Sequence, residues 1–144
     1  MNTLQTEEIY QRFIQADYKI CTDTRNLDQG AVFFALKGDN FNGNSYALKA
    51  LELGCSFALV DELLDFEDSR IIQVSDVLSS LQDLATFHRK KFNIPMLALT
   101  GSNGKTTSKE LIHACLSQQF DVLATHGNLN NHIGVPLTLL RLRP

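Results

Sequence analysis

Ala98-Leu99-Thr100-Gly101-Ser102-Asn103-Gly104-Lys105-Thr106-Thr107 sets a glycine-rich turn between an apolar run and a helix-forming run, and its reading decides the fold. Upstream, Ile94-Pro95-Met96-Leu97-Ala98-Leu99 has the length and apolarity of a buried strand. Downstream, residues 108–116 bring Leu111, Ala114, Cys115 and Leu116 near one helical face. Strand, loop and helix thus follow in order. Gly101 and Gly104 let the backbone curl with N–H groups inward, and the helix start adds unpaired N–H groups and partial positive charge at the same point. Such a turn holds phosphate. Lys105 supplies a full charge, and Thr106 supplies a hydroxyl of the kind that ligates Mg²⁺. The usual phosphate-loop pattern carries a further glycine five residues before Gly104, where this chain has Leu99. The match is therefore to a shortened form, Thr-Gly-x-x-Gly-Lys-Thr-Thr. The competing reading is an ordinary strand-to-helix turn with a surface lysine, and the flanking strand and helix weigh against it.

The 144 residues suffice for one ordinary domain or two small ones, and 44% hydrophobic with 20% charged residues is the composition of a globular chain. A net charge of −3 gives no basis for nucleic-acid binding, which calls for a basic face. The basic cluster His88-Arg89-Lys90-Lys91 closes a helical pattern of Val77, Leu81, Leu84 and Ala85, and reads as a solvated helix end. No run approaches the roughly 20 apolar residues of a membrane span, and the polar, acidic start is not signal-like, so a cytoplasmic protein without membrane insertion is expected. Cys21, Cys55 and Cys115 are scattered, against disulfides or zinc; Cys55 and Cys115 read as core residues. The four histidines share no metal-ligand spacing.

Thr6 before Glu7 and Glu8 reads as an N-cap, with Ile9, Phe13 and Ala16 following at helical spacing. Strands are expected at 31–36, 57–60 and 71–74, a loop at 41–44, a helix at 45–53 closed by Gly54, and a connecting helix at 76–92. Val122-Leu123-Ala124 reads as a further strand and 127–136 as a loop before the run 137–142. The acidic stretch 61–68 reads as a solvated loop. Alternating strands and helices define an α/β protein. Too few strands follow the phosphate loop to close a nucleotide-binding sheet, so the chain is expected to be the N-terminal portion of a longer polypeptide.

The segment Gly127-Asn128-Leu129-Asn130-Asn131-His132-Ile133-Gly134-Val135-Pro136 crowds three asparagines into a loop; their amides offer the donors and acceptors that phosphates and sugar hydroxyls need. Alone it reads as a decorated turn, and its pairing with the phosphate loop makes it more specific. Taken with Thr22-Asp23-Thr24-Arg25 and Gly30-Ala31-Val32-Phe33-Phe34-Ala35-Leu36-Lys37-Gly38, and with Phe41 and Gly43, these motifs resemble the Mur ligases, the ATP-dependent amide ligases of peptidoglycan precursor synthesis. Within that family the likeness is to the type that adds D-alanyl-D-alanine. The family's usual Asp-Ser-Arg reads Asp-Thr-Arg here, keeping the hydroxyl.

The resemblance implies a small N-terminal α/β domain at residues 1–75 that binds the UDP part of UDP-N-acetylmuramoyl-tripeptide. At 76–144 it implies a connecting helix and the incomplete start of a phosphate-loop α/β ATPase domain. It implies ATP and Mg²⁺ as cofactors, with the nucleotide held by Gly101, Ser102, Asn103, Gly104, Lys105, Thr106 and Thr107. Lys105 is the catalytic charge on the β/γ-phosphates and Thr106 the metal ligand. Thr24, Arg25, Lys37, Gly38, Phe41, Gly43, Asn128, Asn130 and Asn131 are implied on the substrate side. For Arg25 a structural salt bridge stands equally. Small molecules are the implied partners, D-alanyl-D-alanine the second of them, and the 144-residue chain alone is expected to be inactive. Two alternatives stand beside this reading: another Mur-type ligase, tripeptide-forming or folylpolyglutamate-like, and a non-catalytic nucleotide-binding module.

Overall fold

The structure, a computed structural model, describes residues 3–127 and 129–144. Helix α1, Thr3–Gln15, turns Thr6, Ile9 and Phe13 inward. Thr6 lies inside the helix rather than capping it, because the helix runs on to Thr3. It ends in a left-handed turn at Asp17 and Tyr18, whose N–H groups bond Ile14 O and Phe13 O at 2.9 Å.

Four short strands follow: β1 (Ile20–Cys21), β2 (Val32–Phe34), β5 (Phe57–Val60) and β6 (Ile71–Gln73). They form a parallel sheet in the order β1-β2-β5-β6, with Val32 opposite Phe57 and Ala58 opposite Ile71. Between β2 and β5 lie an antiparallel pair, β3 (Lys37–Gly38) with β4 (Phe41–Asn42), a 3₁₀ turn at Gly43–Tyr46, and helix α2, Ala47–Glu52. Residues 41–44 are thus part strand and part helical turn, not a loop. Both faces of the sheet are covered, which explains why its central strands read as unbroken apolar runs. Val32, Phe34 and Leu59 point to α1 and to helix α3, Val77–Arg89. Phe33, Ala58 and Val60 point the other way, to Ala47, Ala50 and Leu51 of α2.

Helix α3 starts at Asp76, whose carboxylate accepts the Ser79 N–H at 2.6 Å, and buries Val77, Leu81, Leu84, Ala85 and His88. Helix α5, Gly134–Leu139, begins earlier than the sequence suggests. Pro136 sits in its first turn, where no N–H is needed. Ile133, Leu137, Leu139 and Leu140 join the core on the α1–α3 side.

His88 corrects the expectation of a solvated helix end, for it is fully buried among Tyr10, Phe13, Tyr18 and Phe92. Leu142 O, 3.1 Å from Nε2, can only accept, so Nε2 carries the proton and Nδ1 accepts from the Tyr10 hydroxyl at 3.3 Å. Burial above all lowers the ring's pKa; the Leu142 carbonyl opposes this, and Arg143 adds to it. The folded ring therefore holds a proton less readily than the unfolded one. Its stabilising contribution is complete above the ordinary histidine value of about 6.5 and declines as pH falls through the lowered folded value. Urea midpoints measured from pH 7 to 5.5 should fall for the native chain and stay flatter for His88→Gln.

The acidic stretch holds a second correction. Asp61 leaves the end of β5 with its side chain only 7% exposed, and pairs with Lys37 at 2.8 Å. Its other contacts are Asn44 Nδ2 at 2.9 Å and the Val77 N–H at 3.2 Å. Burial pushes its pKa up, but Lys37, Asn44 and the Val77 N–H together outweigh that and hold it below the usual carboxylate range. Asn44 returns a bond by accepting the Asp61 N–H at 3.0 Å. This hub ties β3, the 3₁₀ turn, the end of β5 and the start of α3 together. Asn44→Ala strips two polar partners from Asp61, and a loss of about 2 kcal/mol in chemical denaturation is expected.

From residue 94 onward the structure departs most from the sequence pattern. Neither 94–99 nor 122–124 forms a strand, since among the described residues no neighbouring strand offers either of them a ladder. Helix α4, Lys105–Leu116, forms as the pattern indicates, yet buries none of its residues. Cys115, expected in a core, is exposed, while Cys21 and Cys55 are buried.

Candidate functional site

Ligands of parallel α/β sheets bind outside the carboxyl ends of the strands. There, just after β1, Thr22, Asp23, Thr24 and Arg25 meet Phe41 and Tyr46 around a groove of 350 Å³. Asp23 shapes its wall: one carboxylate oxygen accepts the Arg25 N–H at 2.9 Å, and the carboxylate grips the guanidinium through Nε at 3.0 Å and Nη2 at 2.6 Å. That grip pulls the Asp23 pKa down to about 2. Arg25 thus makes the salt bridge and also stands at the groove, its side chain 89% exposed. The rings of Phe41 and Tyr46 stack 5.2 Å apart at 21° and give the groove an aromatic lining.

Of the substrate-side residues read from the sequence, Thr24, Arg25 and Phe41 come together here. Lys37 does not line the groove; it bridges Asp61 and Glu62 at 2.8 and 3.1 Å, which raises its pKa. Gly38 is an exposed strand residue. Gly43 answers to packing, since a Cβ there would lie 2.5 Å from the Ala35 and Leu36 backbone. Tyr46 and Asp23 are groove residues the sequence reading missed. In sequence Tyr46 falls inside the helix expected at 45–53, and the Phe-x₄-Tyr spacing across the turn is its signal.

The phosphate loop runs as its glycines dictate. Gly104 has φ +78°, a left-handed conformation costly for other residues, and is the residue from which α4 starts. The Ser108 N–H makes the first bond back to Gly104 O at 2.9 Å, so the N–H groups of Lys105, Thr106 and Thr107 precede the helical ladder. Ser102, Asn103 and Thr106 are exposed. Lys105 Nζ folds over the loop to Gly101 O at 2.5 Å and Ser102 O at 3.4 Å, which sets its charge at the loop's mouth.

One turn along α4, Lys109 Nζ reaches Thr125 O at 2.5 Å, Gly127 O at 3.2 Å and the Glu110 carboxylate at 2.8 Å. In the asparagine segment, Asn131 Oδ1 accepts the N–H groups of Ile133 and Gly134 at 3.1 and 2.7 Å, opening α5. Asn130 is exposed; Asn128 lies outside the described residues. No group of three or more His, Cys, Asp or Glu side chains among the described residues is arranged to hold a metal. No helix among them is long and apolar enough to cross a membrane.

A parallel α/β body with a groove beyond its strand ends and a glycine-turned phosphate loop opening a helix defines a nucleotide-handling class of protein. The sequence model of the Mur ligase middle domain matches residues 99–144. The chain is 43% identical over 125 residues to the UDP-N-acetylmuramoyl-tripeptide–D-alanyl-D-alanine ligase of Bacillus subtilis (strain 168), covering 85% of this chain and 27% of that protein. Its fold matches a crystal structure of MurF from Acinetobacter baumannii with a TM-score of 0.82 at 35% identity, over 93% of this chain and 33% of that one. MurF ligase from Thermotoga maritima in complex with ADP matches with a TM-score of 0.79 at 28% identity, over 97% and 30%. The chain belongs to the Mur ligase family, and spans between a quarter and a third of the length of these relatives.

Proposed function

We propose that the chain is the opening part of an ATP-dependent ligase that joins D-alanyl-D-alanine to UDP-N-acetylmuramoyl-tripeptide in peptidoglycan precursor synthesis. Residues 1–75 form the UDP-substrate domain, and 76–144 form the connecting helix and first part of the ATP domain. The observation that carries this reading is the loop 100–107, with left-handed Gly104 at the start of α4 and Lys105 over the loop. The likeness of most of this chain to about a quarter to a third of the length of ligases named for this reaction supports it.

In the groove, Phe41 and Tyr46 offer a face on which a pyrimidine ring packs, and Arg25 offers donors to a diphosphate. The tripeptide's terminal carboxylate attacks the γ-phosphorus of ATP, ADP leaves, and the amine of D-alanyl-D-alanine displaces phosphate from the acyl phosphate. The first step drives two anions together, so donors aimed at the γ-phosphoryl oxygens lower its barrier. Lys105 and the free N–H groups at the start of α4 do this. Asn130 and Asn131 face the phosphates or the muramoyl group. Thr106 is an exposed hydroxyl beside these N–H groups, the hard oxygen donor that Mg²⁺ accepts beside phosphate oxygens, and the ion there would neutralise charge on the phosphates. On this reading the protein works in the cytoplasm.

The test is ADP release by the full-length protein. Release that needs both the UDP-tripeptide and D-alanyl-D-alanine supports the proposal. Release with a different amine or acid in their place contradicts it.

A further inference from the structure

The phosphate loop and the asparagine segment lie about twenty residues apart in sequence, and Lys109, on the helix that the loop opens, donates hydrogen bonds to the chain leading into that segment. Residues i and i+4 of a helix share a face one turn apart, so Lys105 and Lys109 stand in line along α4. Lys105 turns back onto its own loop, to Gly101 O and Ser102 O. Lys109 turns outward to Thr125 O and Gly127 O, the carbonyls that lead into the asparagines. Its side chain is only 17% exposed, whereas the neighbouring Glu110 carboxylate that shares it is 57% exposed. Helix α4 has no fully buried residue, so its apolar packing is slight, and the Lys109 ammonium supplies directed bonds from it to residues 125 and 127.

We infer that Lys109 is a positioning residue: it holds residues 125–127, and through them Asn130 and Asn131, at a set distance from the phosphate loop, so that these asparagines and Lys105 act on one substrate. This rests on the ligase reading above, in which both segments face the reacting groups. Lysine suits the task because three donors satisfy two carbonyls and a carboxylate at once, and methionine of similar length has none.

The experiment compares Lys109→Met, Lys109→Arg and Lys105→Ala in the full-length ligase. With Lys109→Met, kcat should fall by roughly ten- to a hundredfold, as a misplacement of about 1 Å produces. ADP affinity, to which the intact phosphate loop contributes directly, should stay within about twofold, and Lys109→Arg, which keeps the charge and several donors, should recover most of the loss. Hydrogen exchange gives a readout independent of turnover: amides of residues 123–132 should exchange faster in Lys109→Met and unchanged in Lys105→Ala. Unchanged kcat and exchange in Lys109→Met overturn the inference. So does a loss of ADP affinity in step with kcat, which would mark a general loss of structure. Normal turnover in Lys105→Ala would instead strike the ligase reading itself, with the exchange result still reporting on Lys109.

Discussion

Replacing Lys105 by alanine in the full-length ligase is expected to lower kcat by about a thousandfold or more, the cost of removing a transition-state charge contact worth several kcal/mol. The position of the side chain is the reason. Its ammonium lies over the loop on Gly101 O, above a helix start whose first N–H groups have no helical partner, so charge and dipoles aim at one point. Phosphoryl transfer leaves little covalent chemistry for the protein, and positioned charge is most of what it supplies. Because that charge matters more as the γ-phosphoryl group moves than when ATP first binds, kcat should fall further than KM for ATP rises. A coupled ADP assay at saturating substrates checks this. A rise in KM for ATP with kcat unchanged would make Lys105 a binding residue only.

The second large effect concerns the body that carries the groove. Phe34→Ala is expected to cost about 3–5 kcal/mol, enough to leave a domain of this size barely folded. Phe34 is fully buried on β2, paired with Leu59 of β5, on the sheet face that α1 and α3 cover. Truncation removes a ring from a place where strands and helices are too interlocked to collapse into the void. Phe34→Leu keeps most of the volume and should cost about half as much or less. Leu63→Ala, at a side chain 87% exposed, should stay within about 0.5 kcal/mol of the native chain. Urea denaturation followed by circular dichroism orders the three.

These effects trace the division between what the sequence shows and what only the fold reveals. The runs at 31–36, 57–60 and 71–74 read correctly as strands because a parallel sheet covered on both faces leaves a mark in every residue. The helix pattern of Val77, Leu81, Leu84 and Ala85 was equally plain, but it stopped short of His88. A histidine beside Arg89, Lys90 and Lys91 looks solvated in sequence, and only the aromatic side chains of α1 and the carbonyl of Leu142 make it a core residue. Asp61 was hidden the same way among acidic neighbours, since its partners Lys37 and Asn44 come from another part of the chain. The apolar runs 94–99 and 122–124 carry a strand pattern, yet a ladder is a property of two strands and neither has its neighbour among the described residues.

The glycine turn that opens α4 was legible because its signals are local: two glycines, a lysine and a helix start are contiguous. The groove was legible only in part, because it is assembled from two loops. Thr24, Arg25 and Phe41 line it, whereas Lys37 is engaged by Asp61 and Gly43 by the backbone of β2's exit. Tyr46 becomes visible once the 3₁₀ turn brings it back against Phe41.

On the proposed function, this chain carries the nucleotide-substrate site and the phosphate loop of one ligase. A calorimetric titration of the chain with UDP-N-acetylmuramoyl-tripeptide, repeated in excess UDP and with Tyr46→Ala, tests it most directly. Saturable binding at one site per chain, competed away by UDP and weakened by Tyr46→Ala, is the predicted result. No binding to a chain that circular dichroism shows to be folded would contradict the assignment of the groove.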